Sequence, residues 1–211
     1  MADISFKERV AQAAIKNALL YKQVFVDYEY LICSDAFVNE PYYILASQED
    51  NYRHLIGVNT KMSASDFFSA CVDGTLCEND FDFKKPNRSE KEIKGSVRKK
   101  IQVLPQLVSM MGNELVAQED FSKNGVTCAF ATTDCNFTVG FVHFSKSRPM
   151  TLLKGDEIDW NKAAYVDLIL RRPSGVQKFD TIIYGNENAI AKYYSKLNSI
   201  IEDNLQKESQ L

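Results

Sequence analysis

Apolar residues recur every three to four positions from Ile4 to Phe25 (Ile4, Phe6, Val10, Ala13, Ala14, Leu19, Leu20, Phe25) with no glycine or proline among them. That spacing predicts an N-terminal helix. Two runs rich in β-formers follow, Tyr28–Ser34 and Pro41–Ser47, and read as a strand pair. Gln48–Asp50 reads as a turn. Asn51–Val58, short and ending at Gly57, reads as a third strand. Ser63 or Ser65 can cap a helix carrying Phe67, Phe68, Cys71 and Val72, with Gly74 to end it. The polar stretch Glu78–Arg88 leads to Ser89, which has Glu92 three residues on, a capping-box spacing. The central helix predicted there places Ile93, Val97, Ile101, Leu104, Leu107 and Val108 on one side and runs to about Met111. Pro105 should kink or divide it.

After Gly112 the pattern changes to short strands: Glu114–Gln118, Val126–Thr132, Phe137–Phe144, Met150–Lys154, Tyr165–Arg171 and Phe179–Tyr184. Turn-forming residues at Ser122–Gly125, Asp134–Asn136 and Arg172–Gly175 separate several of them. Successive short strands with tight turns indicate a mainly antiparallel sheet. A closing helix is expected over Asn188–Leu205, with Ile190, Tyr194, Leu197 and Ile201 in phase. Without a repeat or a long linker, the whole chain, 1–211, reads as a single α+β domain.

Composition narrows the function classes. The chain is 45% hydrophobic and 25% charged, ordinary values for a folded chain. No apolar run approaches the ~20 residues of a membrane span, so no membrane partner is expected. Met1–Arg9 contains Asp3 and Glu8 and lacks the apolar stretch of a secretory signal. Five cysteines, an odd number with no Cys-x-x-Cys pair, favour a reduced cytoplasm over a disulfide framework. Two histidines remote from paired cysteines make a zinc site unexpected, and no cofactor or metal is anticipated. The overall charge of −3 hides an asymmetry: residues 84–100 carry a net +6, leaving −9 on the rest. A basic segment on an acidic body is the electrostatic footprint of a local contact with a phosphate-rich partner.

Most catalytic signatures are missing. There is no Walker-type phosphate loop, no Gly-x-Gly-x-x-Gly turn, no Gly-x-Ser-x-Gly elbow and no His-Glu-x-x-His helix. Metal-independent RNA cleavage needs fewer parts: a base for the ribose 2′-hydroxyl, an acid for the leaving 5′-oxygen and cations for the phosphorus centre. Arg53, His54, Lys61, Arg98, Lys99, Lys100, Thr132 and Thr133 are of the right types. His54 and His143 are the only histidines, and either has the chemistry of a general acid or base near neutral pH.

Five stretches then occur in a recognisable order: His54-Leu55-Ile56-Gly57-Val58; the aromatic pair Phe67-Phe68; Ser96-Val97-Arg98-Lys99-Lys100-Ile101-Gln102-Val103-Leu104-Pro105; Thr132-Thr133; and Pro149-Met150-Thr151-Leu152-Leu153. This order, over roughly Tyr28 to Leu170, resembles the phage-associated Barnase–EndoU–Colicin–RelE-like nucleases with a His-Leu-Thr-Gly signature. Ile56 stands where that group often has threonine, and Thr151 where it often has serine. The resemblance implies a four-stranded curved antiparallel sheet with helices on one face, and nuclease activity on RNA. It implies His54 as general acid or base, and Lys99 or Lys100 on the phosphate with Arg98 assisting. Thr132 or Thr133 would position a phosphate oxygen or the 2′-hydroxyl. Arg53, Lys61 and Thr151 are the further expected substrate contacts, and His143 is held in reserve.

The expected function is therefore a metal-independent endoribonuclease of phage or prophage origin that touches RNA locally through residues 84–100. An antitoxin, immunity or host defence protein is a further expected partner. The alternative is an inactive binding protein on the same fold that inhibits a host defence component.

Overall fold

A computed structural model describes residues 4–208. Helix α1 (Phe6–Tyr21) is capped by Ser5, whose side chain accepts from the Glu8 amide, and it continues through a π-helical turn over Lys22–Val26. Strand β1 (Tyr28–Ser34) pairs antiparallel with the short β2 (Tyr43–Leu45). Three helices follow: α2 (Asn51–Ile56), α3 (Ala64–Val72), capped by Ser63, and α4 (Glu90–Leu107). The capping box at α4 forms as its sequence requires, with Ser89 and Glu92 satisfying each other's backbone amides. Pro105 falls in the last turn of α4, and the helix ends two residues later, short of Met111.

The second half is strand-rich: β3 (Val116–Lys123), β4 (Val126–Thr133), β5 (Phe137–His143), β6 (Ser147–Lys154), β7 (Ala163–Pro173) and β8 (Thr181–Tyr184). Helices α5 (Glu187–Leu197) and α6 (Asp203–Glu208) end the described chain. The expected single closing helix is thus two, because the chain between them is drawn into pairing of Ile201 with Phe179.

The α+β class holds, but the sheet is larger than the four strands the resemblance implies. Eight strands replace four, and seven of them close into a barrel: β1-β2-β6-β5-β4-β3-β7, with β7 returning to β1. All pairings are antiparallel except the short parallel contact of β2 with β6 at Leu45–Ser147, so the barrel is mixed. Closure depends on the 11-residue β7, whose Val166–Pro173 pairs with β1 while Ala163–Tyr165 pairs with β3. Register shifts at Cys33/Ser34, Gly140/Phe141 and Ile169/Leu170 supply local bends.

The helices also lie on two sides rather than one. Helices α1–α4 share the larger core with Tyr30 and Ile32 of β1, whereas Leu31 and Cys33 join α5 and α6 in a second core. The strand's two-residue alternation makes that division. Phe67 and Phe68 are buried in the larger core, as packing residues. Among the described residues no helix is long and apolar enough to cross a membrane.

The run Asn51–Val58, expected as a strand, is the helix α2. Tyr52, Leu55 and Ile56 at i, i+3 and i+4 are all buried, and Gly57 closes the helix in the left-handed conformation (φ 87°). It packs against β6 and against α1, α3 and α4.

Candidate active site

Helix α2 decides where His54 goes. With Tyr52, Leu55 and Ile56 committed to the core, Arg53 and His54 are left toward the surface, beside Gly57 and Lys85 in a shallow cleft of about 190 Å³. Lys100 reaches this point from α4 and donates from Nζ to the His54 backbone oxygen at 2.7 Å. Gly57 makes the approach feasible, since a Cβ there would lie 3.1 Å from Lys100 Cδ and 3.3 Å from its Nζ. The motif glycine thus serves both a left-handed cap and the passage of a lysine from another helix.

Helix geometry divides the basic segment. At 3.6 residues per turn, Arg98 and Lys100 project about 200° apart. Lys94 and Arg98 turn toward α1: Lys94 pairs with Glu90 and lies over Phe83, and the Arg98 guanidinium stacks 4.9 Å from the Phe6 ring centre. Lys99 and Lys100 instead line a groove of about 530 Å³ with Arg88 and Lys154, floored by Leu152 and Leu153 of β6. Arg98 is therefore not brought to His54, although Lys100 is.

Cations outnumber carboxylates here. Among the described residues, none of Arg53, His54, Lys85, Arg88, Lys99, Lys100 or Lys154 forms an ion pair, although Glu92 and Glu157 also line the groove. Glu157 is paired with Lys123, and Glu92 is bonded to Ser89 while also lying in the field of Arg88. Burial, reinforced by Lys85 and Arg88, lowers the Lys100 ammonium to about 7. Partial burial and the neighbouring Arg53 and Lys100 hold the His54 imidazole below its ordinary value, against a weaker opposing pull from Asp50. Lys85 is likewise lowered, by burial and by Arg88 and Arg53. Unpaired cations that depress one another favour an anion between them.

Apart from Arg53, which lines the cleft with His54, the remaining expected residues lie elsewhere. Thr132 and Thr133 are buried, Thr132 against the Met110 sulfur and Thr133 donating to the Phe137 carbonyl while accepting from the Cys135 amide. Neither lines the cleft or groove. Thr151 is buried on β6, its methyl against the Cα side of Gly140. Lys61 is exposed on the connection between α2 and α3, and Arg53 donates to the Met62 carbonyl. His143 bonds through Nδ1 to Ser147 Oγ at 2.9 Å and meets the edge of Tyr43. Reading the sequence singled out neither Lys85, Arg88 nor Lys154. The first two lie in the basic run, but nothing local marks which of its members turn inward. Among the described residues no group of three or more His, Cys, Asp or Glu is placed to hold a metal ion.

A family model described as phage-Barnase-EndoU-ColicinE5/D-RelE like nuclease 4 matches residues 15–202. No curated protein and no solved structure matches the chain.

Proposed function

The chain belongs to the phage-Barnase-EndoU-ColicinE5/D-RelE like nuclease 4 family, and on that premise we propose that it is an endoribonuclease working without a metal ion, centred on His54 and Lys100. The observation carrying this reading is the placement of Lys100, lowered to about 7, on the His54 carbonyl amid cations that form no ion pair among the described residues.

The two groups divide the proton transfers by their affinities. His54, held below its ordinary value, is the more often neutral and takes the proton of the ribose 2′-hydroxyl. The 2′-oxygen attacks phosphorus as the bond to the 5′-oxygen breaks. Lys100, the more basic of the two, gives its proton to that leaving oxygen. The products are a 2′,3′-cyclic phosphate and a free 5′-hydroxyl. Arg88 and Lys99 offset the charge that grows on the phosphoryl oxygens. RNA is thus held locally, by the inward half of the basic segment.

Purified His54→Ala and Lys100→Arg proteins test the assignment on a labelled oligoribonucleotide. Each should lose about 10²- to 10⁴-fold in cleavage rate, and chelator should leave the wild-type rate unchanged. Wild-type rates in both variants would remove the pair from the mechanism. Stable complexes with no turnover in the wild type would favour the inhibitory binding protein instead.

A further inference from the structure

The groove beside α4 extends past the groups that move protons. Gly95, Ser96, Lys99 and Lys100 line it from one face of α4, and Lys154 lines it from the end of β6. The small residues keep the middle of that face open: a Cβ on Gly95 would meet nothing within 4 Å. Lys154 is the one cation of the groove that lies outside the basic run. It is exposed and forms no ion pair among the described residues, since Glu157 in the same groove is held by Lys123. Its Nζ donates instead to Gln102 Oε1 at 3.0 Å, one turn along α4 from Lys99. The backbone of Lys154 is paired with Phe137 of β5, so the side chain starts from a fixed strand. A cation anchored by a neutral amide keeps its attraction for an anion.

The walls also say which part of a nucleotide they suit. His54 is the only ring-bearing residue lining either the cleft or the groove. Cationic walls without a stacking platform hold a strand by its phosphates rather than its bases. Direction follows from where the two proton-transfer groups stand: His54 lines the cleft, and Lys100 lines the groove. With His54 at the 2′-hydroxyl and Lys100 at the leaving 5′-oxygen, the attacked ribose lies on the cleft side. The departing nucleoside lies on the groove side, and its own 3′-phosphate is the next charge along the strand.

We infer that the groove is a second phosphate subsite, in which Lys154 binds the phosphate one nucleotide downstream of the bond that is cut. The strand then runs 5′ to 3′ from the cleft into the groove, with the half-buried Leu153 beneath the intervening sugar. Lys154 is a positioning residue, holding the departing nucleoside so that its 5′-oxygen stays at Lys100. The assignment rests on the endoribonuclease reading and adds the direction of its substrate.

Thymidine tetramers with a single uridine at the second position test it, because only the linkage after that uridine has a 2′-hydroxyl to attack it. One linkage, either upstream or downstream of the scissile one, is replaced by an uncharged methylphosphonate. At low salt the downstream replacement should lower kcat/KM of the full-length protein about five- to tenfold, the scale of one or two exposed charge pairs. The upstream replacement should change it less than twofold. Lys154→Ala should cut the parent tetramer as slowly as the wild type cuts the downstream-neutral one, with no further loss on that strand. Lys154→Arg should restore the difference. Equal penalties at the two linkages, or a downstream penalty that persists in Lys154→Ala, overturn the subsite while cleavage of the parent tetramer keeps the nuclease reading.

A second readout does not need cleavage. With 2′-fluoro-uridine in place of the uridine, excess tetramer should shield Lys154 from acetylation by acetic anhydride, followed by mass spectrometry, and leave Lys94 unshielded. An unshielded Lys154 overturns the subsite. Shielding of Lys154 with no cleavage of any strand would instead overturn the nuclease reading, and the strand direction with it, and leave the phosphate contact assigned.

Discussion

A lysine becomes an acid–base group near neutral pH only when its charge is disfavoured, and Lys100 meets that condition through burial and two neighbouring cations. The sign of the pH dependence follows. Activity should rise with pH while His54 loses its proton, below the ordinary histidine value, and fall again as Lys100 loses its proton through about 7. A bell-shaped profile of kcat/KM with a mildly acidic maximum is the expected outcome, and in Lys100→Arg its alkaline limb should vanish. A rate still climbing at pH 9 would contradict the assignment. Gly57 belongs to the same scale. Gly57→Ala adds left-handed strain of about 1–2 kcal/mol and pushes on the Lys100 stem. Differential scanning calorimetry should show a midpoint roughly 2–8 °C lower, with a larger fractional loss of activity than of stability. His54, Gly57 and Lys100 were all visible as motif residues. Their contact was not, because 46 residues separate His54 from Lys100 and no local pattern reports it.

Among the elements, the capped helices were the most legible, because Ser63 and Ser89 act on amides only three residues away. Helix α2 was misread for an equally local reason. Six residues complete fewer than two turns, so Tyr52, Leu55 and Ile56 carry too little period to outweigh a β-like composition. The barrel closure is held by a buried ion network: Arg172 of β7 grips Glu29 of β1 through Nε and Nη2, and Lys146 reaches Glu29 from the β5–β6 turn. Both Glu29 and Arg172 are buried. Arg172→Ala would leave the carboxylate with only its exposed lysine and forfeit the stacking on Phe179, a loss of about 3–5 kcal/mol. Urea denaturation should show the midpoint falling with an unchanged slope. A loss under about 1 kcal/mol would mean that the network adds little beyond a surface pair.

For the whole molecule, the decisive quantity is where the basic residues end up. Lys94 is tied to Glu90 and Phe83 on the α1 side, whereas Lys99 lines the groove that runs along β6. Removing Lys99 should therefore reduce the salt dependence of RNA binding by about 0.7 in log–log slope, while Lys94→Ala should leave that slope alone. Equal effects would mean that the segment binds as an undivided charged strip. The sequence by itself determined the α+β class, most strand positions, the helix caps, the basic segment and the family resemblance, since each is written in neighbouring residues or a short ordered motif. Only the tertiary structure decided that seven strands close into a barrel, because closure requires β1 and β7 to meet across more than a hundred residues. It also decided which half of the basic run faces His54. Arg98 and Lys100 are two residues apart in the chain, and the helix sends one to Phe6 and the other to Gly57.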